Sequence, residues 1–114
     1  MKNKSKGIIG EKKAGEYLEN QGYEILEKNY QQGMAEIDLI ALKDNKLLVF
    51  VEVKARKNSS FGEPETFVSE SQQKRIVKLA EEYIYGINWQ GDIRFDIIAI
   101  KDNEQPLHIQ DAFY

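Results

Sequence analysis

Apolar spacing along the chain predicts seven elements. In residues 7–21, GIIGEKKAGEYLENQ, Ile8, Ala14, Tyr17 and Leu18 fall near one stripe and Gly22 follows as a stop, which predicts a helix. Residues 23–30, YEILEKNY, alternate enough for a strand; 35–42, AEIDLIAL, give a second and 46–56, KLLVFVEVKAR, a third. The polar run Lys43-Asp44-Asn45-Lys46 joins the last two as a hairpin. Residues 57–68 break every period with serines, Gly62 and Pro64, and predict a loop. From Ser69 to Ile87 the helical signal is strongest. Ser69 and Gln72 have capping-box spacing, and Ile76, Leu79, Ala80, Tyr83, Ile84 and Ile87 form one stripe. DIRFDIIAI, 92–100, predicts a strand, and 107–113 an edge strand after Pro106.

The order α-β-β-β-α-β-β predicts a mixed α/β fold, a central sheet flanked by helices. At 114 residues the chain has room for a single core, so one domain is expected over 1–114, with residues 1–6 as a basic tail. Three successive hairpin-type strands exclude a doubly wound dinucleotide fold, and the absence of a glycine-rich phosphate loop argues against a nucleotide cofactor.

Composition narrows the chemistry. With no cysteine and a single histidine, His108, neither a disulfide framework, a thiolate nor a zinc site is expected. No apolar run approaches the roughly 20 residues of a membrane span, so the expectation is a cytoplasmic protein without a membrane partner. A net charge of −3 counts against a DNA-coating protein. An enzyme that visits nucleic acid needs only a local basic patch, and Lys12, Arg56, Lys57, Lys74 and Arg75 are the candidates; solvated helix-surface charge serves the helical ones equally well.

The third strand poses a question. Period 2 puts Leu48, Phe50, Glu52 and Lys54 on one face, so a carboxylate and an ammonium continue what should be a buried row. On the second strand Glu36, Asp38 and Ile40 share a face, opposite Ile37, Leu39 and Ala41. With a two-residue loop, opposed positions sum to 89 and Asp38 faces Val51, pairing a charged face with an apolar one. A three-residue loop, or a bulge, makes the sum 90 and sets Asp38 opposite Glu52 and Glu36 opposite Lys54. The even register is therefore expected. Two carboxylates that close must protonate, find a cation or bind metal. Taken alone, these residues are equally served by a structural Glu52–Lys54 pair with Asp38 solvated.

The helices add to the set. Glu11 precedes Ala14 by three and Leu18 by seven, and Gln73 stands in the same relation to Ile76 and Ala80, so both fall at the N-terminal end of an inward stripe. Glu11, Asp38 and Glu52, with the backbone carbonyl of Val53, form a hard-oxygen ligand set suited to Mg2+ or Mn2+. Such an ion, with Lys54 beside it, suits phosphodiester hydrolysis.

Asp38 followed by Glu52-Val53-Lys54 after an apolar strand resembles the PD-(D/E)xK nuclease superfamily. More narrowly, Gly10-Glu11, AEIDLIA (35–41), VFVEVKAR (49–56), Phe61-Gly62, QQKRI (72–76) and RFDIIAI (94–100) resemble the YraN (UPF0102) family of endonuclease-like proteins, which are similar to archaeal Holliday junction resolvases. The resemblance implies a restriction-endonuclease-like core, acidic ligands at Glu11, Asp38 and Glu52, a catalytic lysine at Lys54 and an active-site glutamine at Gln73. It implies DNA as the substrate, structured or branched. Two positions depart from that pattern: Met34-Ala35 stands where the family reads Gly-Gly, and Gln72 where it commonly has lysine. Glu36 and Asp96 are expected as supporting acids, Asp96 more readily as an ion pair with Arg94.

The leading expectation is a Mg2+-dependent endonuclease, with a non-catalytic nucleic-acid-binding or adaptor protein of the same fold as the alternative. Cutting both strands of a duplex implies a homodimer; Trp89 and Phe113-Tyr114 are the apolar residues expected to be exposed at such a contact.

Overall fold

The computed structural model describes residues 4–56, 68–101 and 105–114, with the backbone alone for 4–8 and for Arg56. The elements are α1 (Lys4–Asn20), β1 (Tyr23–Gln32), β2 (Ala35–Lys43), β3 (Leu47–Arg56), α2 (Glu70–Ile87), β4 (Asp92–Lys101) and β5 (Leu107–Ile109). The mixed α/β fold and the element order are those the spacing predicts. No helix among the described residues is long and apolar enough to cross a membrane.

The five strands lie in sequence order, antiparallel except for the parallel pair β3–β4. A parallel pair cannot be joined by a tight turn; here α2 lies in the connection. Strands at the centre of a sheet covered on both faces read as continuous apolar runs, which is why Leu47–Val51 and Ile97–Ile100 do. On one face α2 packs Ile76, Leu79, Ala80 and Tyr83 against Ile37, Ile40, Leu48, Phe50, Phe95 and Ile97. Phe50 and Phe95 stack there with ring centroids 5.3 Å apart; full burial of such a side chain contributes about 1.5–3 kcal/mol. On the other face Ala14 and Leu18 of α1 pack against Leu39, Ala41, Val49, Val51 and Ile98.

Local chemistry fixes the boundaries. Ser69 caps α2, its side chain accepting from the Gln72 N–H, and Asn88 ends the helix in the left-handed region at φ 57°. Asp44 and Asn45, both at positive φ, build a three-residue loop with Lys46 and set β2 against β3 in the even register: Leu39 faces Val51, Ile40 faces Phe50 and Lys43 faces Leu47.

Several boundaries differ from the sequence reading. The α1 helix begins at Lys4, so Lys4-Ser5-Lys6 is helical instead of part of a tail. β1 runs two residues further, to Gln32, with a bulge between Ile25 and Glu27. β5 stops at Ile109, because Asp111 takes positive φ and turns its N–H to the Asp96 carboxylate. Trp89 is half-buried against the α2-side core, and its indole N–H donates to the Asp92 carbonyl; Phe113 packs on Phe95. Neither is the exposed apolar residue expected of a dimer contact, whereas Tyr114, the third residue named for it, is exposed.

Candidate functional site

Pairing between β2 and β3 stops at Leu39↔Val51, whereas β3 stays beside β4 as far as Arg56. The sheet therefore forks. Continued in register, Val53 would meet Ile37, since each pair sums to 90. Instead the Asp38 carboxylate takes that place: its Oδ2 accepts the Val53 N–H at 2.7 Å. The face alternation of β2 changes at the same point. Ile37 joins the α2-side core and Leu39 the α1-side core, so the expectation that they share a face does not hold. Two alternate residues on opposite faces require a rotation of the chain between them, and that rotation aims Asp38 into the fork. In a strand the N–H and C=O of one residue point to the same edge, so the Val53 carbonyl, the expected ligand, faces the fork too.

Glu52 enters from β3 on the α2 side and is 8% exposed. Its Oε2 accepts the Gln72 side-chain N–H at 2.8 Å and lies 3.6 Å from the Lys54 ammonium. Glu11 reaches in from α1, hydrogen-bonded to Asn29 and Asp38. One oxygen each of Glu11, Glu36 and Asp38 lie within 4.8 Å of one another. Two oxygens on a common hard cation, at 2.0–2.6 Å each, are separated by no more than about 5 Å, so the trio fits such an ion. Oxygen donors alone, without nitrogen or sulfur, select Mg2+ or Mn2+ over zinc.

The electrostatics follow from crowding. Burial, with the nearby Glu52, Glu11 and Glu36 charges adding, pushes the Asp38 carboxyl up to about 8 against the opposing Val53 N–H. Burial also raises Glu52, partly offset by Lys54, Gln72 and a hydrogen bond from the Asp38 carboxyl. Glu11 is raised by burial and the Glu36 charge, while Asn29 and Asp38 oppose the shift. Only a cation or a proton makes four converging carboxylates tolerable.

Glu11, Glu36, Asp38, Glu52 and Lys54 are thus brought to one place, with Glu36 contributing the exposed oxygen of the acidic trio. Gln73 is not there. Its side-chain N–H donates to the Val68 carbonyl, and the glutamine in the cleft is Gln72. Gln72 precedes Ile76 by four and Leu79 by seven, a signal as strong as the one that singled out Gln73. Asp96 also belongs elsewhere. It is fully buried on the α1 face, gripped by Arg94 through two bonds of 2.8 and 2.7 Å, by His108 Nε2 at 2.7 Å and by the Asp111 N–H. Those bonds hold its carboxyl below the usual range against the burial that would raise it. Asn29 was not anticipated. It holds φ 53° within β1, between the Lys28–Leu39 and Tyr30–Ile37 pairs and so level with Asp38.

Of the candidate basic contacts, Arg75 lines a cleft of about 200 Å3 with Met34, Glu36, Asp38, Glu52 and Gln72. Lys12 and Lys74 are exposed on their helices. Lys57, the Arg56 side chain and Ser59, Ser60, Phe61 and Gly62 lie outside the described residues.

The family described as "Uncharacterised protein family UPF0102" matches residues 10–100, which contain all of these cleft residues. A UPF0102 protein of Cytophaga hutchinsonii is 50% identical over 112 residues, 98% of each chain. One from Thermodesulfovibrio yellowstonii is 45% identical over 108 residues, 95% of each chain. Another, from Clostridioides difficile, is 44% identical over 115 residues, covering 99% of this chain and all of the relative.

Proposed function

The chain belongs to the UPF0102 family, and from that premise and the chemistry of the cleft we propose that it is a divalent-metal-dependent endonuclease of the PD-(D/E)xK type, hydrolysing phosphodiesters of structured or branched DNA. One observation carries the reading: at a strand fork, Asp38 is oriented by the Val53 N–H amid three further carboxylates, with a lysine on the neighbouring Glu52.

Glu11, Asp38 and Glu52, with Glu36 at the rim and the Val53 carbonyl, are the groups that would hold Mg2+ or Mn2+. When bound, such an ion polarises a phosphoryl oxygen and acidifies a coordinated water. The chain's own residues supply the rest. The Val53 N–H fixes the rotamer of Asp38, and Gln72 and Lys54 fix that of Glu52. The Lys54 ammonium, 3.6 Å from Glu52, stands where it can steady the attacking water or offset negative charge growing on the phosphate. Arg75, exposed on the cleft wall, offers a phosphate contact beside the acids. A non-catalytic binding protein is the weaker reading, since acids facing phosphate weaken binding unless a cation intervenes.

Purified protein incubated with junction, flap and linear DNA in Mg2+ or Mn2+ tests the proposal, alongside Asp38→Asn and Lys54→Ala. Cleavage by the wild type, reduced more than roughly 100-fold in either variant, is expected, since supporting partners of a metal site alone cost 10–100-fold. Equal background cleavage by all three proteins removes the proposal.

A further inference from the structure

The cleft continues beyond the acids. A second recess of about 220 Å3 adjoins it, lined by Gln32, Met34, Ala35, Arg75, Lys78 and Glu82, and the two share Met34, Ala35 and Arg75. Together they form a groove between α2 and the turn joining β1 to β2. Arg75 and Lys78, with Glu82 beyond them, stand on the helix wall; on the turn wall stands a methionine.

Met34 is 92% exposed, the most exposed large apolar side chain among the described residues. Isolated apolar side chains are common on surfaces, so exposure alone decides nothing. Position does. Gln32 pairs with Ala35, so Gly33 and Met34 form a two-residue turn, and Gly33 supplies the positive φ of 58° that a tight hairpin needs at its first position. The turn caps a pair of strands ten and nine residues long, which makes it a firm arm instead of a slack loop. An apolar tip on a firm arm beside basic groups has a known physical use. Proteins that distort nucleic acid insert side chains such as methionine between base steps, which costs least where stacking is already broken. Methionine's unbranched thioether adapts to the irregular gap.

We propose that Met34 is a specificity-determining wedge: its side chain enters an unstacked base step next to the phosphate held over the acids, while Arg75 and Lys78 bind the backbone from the opposite wall. The inference rests on the phosphodiester reading above and deepens it, since it assigns discrimination between interrupted and continuous duplex to the hairpin tip and not to the carboxylates.

The test uses the full chain in Mn2+ with two DNAs of one sequence, fully paired or carrying a mismatch, with 2-aminopurine at the interrupted step. Wild-type protein is expected to raise 2-aminopurine fluorescence on the mismatched DNA and to cleave it in preference to the paired one. Met34→Ser should abolish the rise and lower the preference about tenfold, and Met34→Leu should keep both; thermal melting of each variant establishes that it folds. An unchanged rise and preference in Met34→Ser, with the wild type still cleaving, overturns the wedge and leaves the nuclease reading standing. Failure of the wild type to bind or cleave either DNA overturns that reading, and the wedge with it.

Discussion

Asp38 meets the Val53 N–H, Glu52, Glu11 and Glu36 at once, so its replacement separates function from stability. Its folded-state pKa is raised from about 3.8 to about 8. The folded protein therefore holds a proton that the unfolded chain releases above about pH 4. The associated stability is complete below that value and is lost as pH rises through 8. Without added metal, the wild-type melting temperature should fall between pH 5 and 8.5. Asp38→Asn, which keeps an oxygen for Val53, should flatten that fall and melt higher by roughly 5 °C at pH 8.5; parallel wild-type and variant profiles would contradict the crowding. Gln72→Ala should lower metal affinity roughly 10-fold or more by releasing Glu52, measured by titration calorimetry. Gln73→Ala should cost only about 1 kcal/mol of stability through the lost bond to Val68. Glu11, Asp38, Glu52 and Lys54 were legible because period 2 and period 3.6 expose a charge in an apolar row. The choice between Gln72 and Gln73 was not: they lie four and three residues before Ile76, and only the seating of the helix on the sheet separates them. Asn29 carried no periodic signal, although asparagine is among the non-glycine residues that best tolerate its backbone conformation.

Elements converge on the fork because α1 approaches β3 very closely. A Cβ on Gly10 would lie 2.9 Å from the Ala55 Cβ, which cannot swing aside. Gly10→Ala should therefore push α1 outward, destabilise by about 1–3 kcal/mol and weaken metal binding by displacing neighbouring Glu11. Denaturant unfolding and calorimetry on the same sample check both; a variant with wild-type values would mean that this contact does not position α1. The even register of β2 and β3 was readable by counting, since only an even sum matches charged with charged faces, although the ladder ends at Leu39–Val51, before the expected Asp38–Glu52 and Glu36–Lys54 pairs. The twist that sends Ile37 and Leu39 to opposite faces was not, because both are apolar and the sequence marks neither side. β5 was overestimated for a related reason: Ala112 and Phe113 continue an apolar pattern, but the Ala112 N–H turns back to the Phe95 carbonyl beyond the last ladder pair.

Among the described residues, buried charge falls in two places of opposite character. Asp96 is saturated: Arg94, His108 and the Asp111 N–H surround it, while Tyr17 touches His108 and Tyr23 accepts from Arg94. This network ties α1, β1, β4 and the C-terminal segment together. Its carboxyl is held low, so its stabilisation is present above about pH 4 and lost as pH falls through its lowered value. Asp96→Asn should cost about 3 kcal/mol at pH 7, because it strands a paired guanidinium; urea unfolding measures this, and a loss under 1 kcal/mol would contradict it. The acids of the fork are the reverse, crowded, with Lys54 alone in an ion pair with them among the described residues. Manganese titration by calorimetry in buffers of different ionisation enthalpy therefore tests the central claim most directly. Wild-type protein should bind Mn2+ with release of protons, more tightly at pH 8 than at pH 6, and Asp38→Asn and Glu52→Gln should each bind at least roughly tenfold more weakly. Binding that is absent, or that survives both substitutions without proton release, would contradict it.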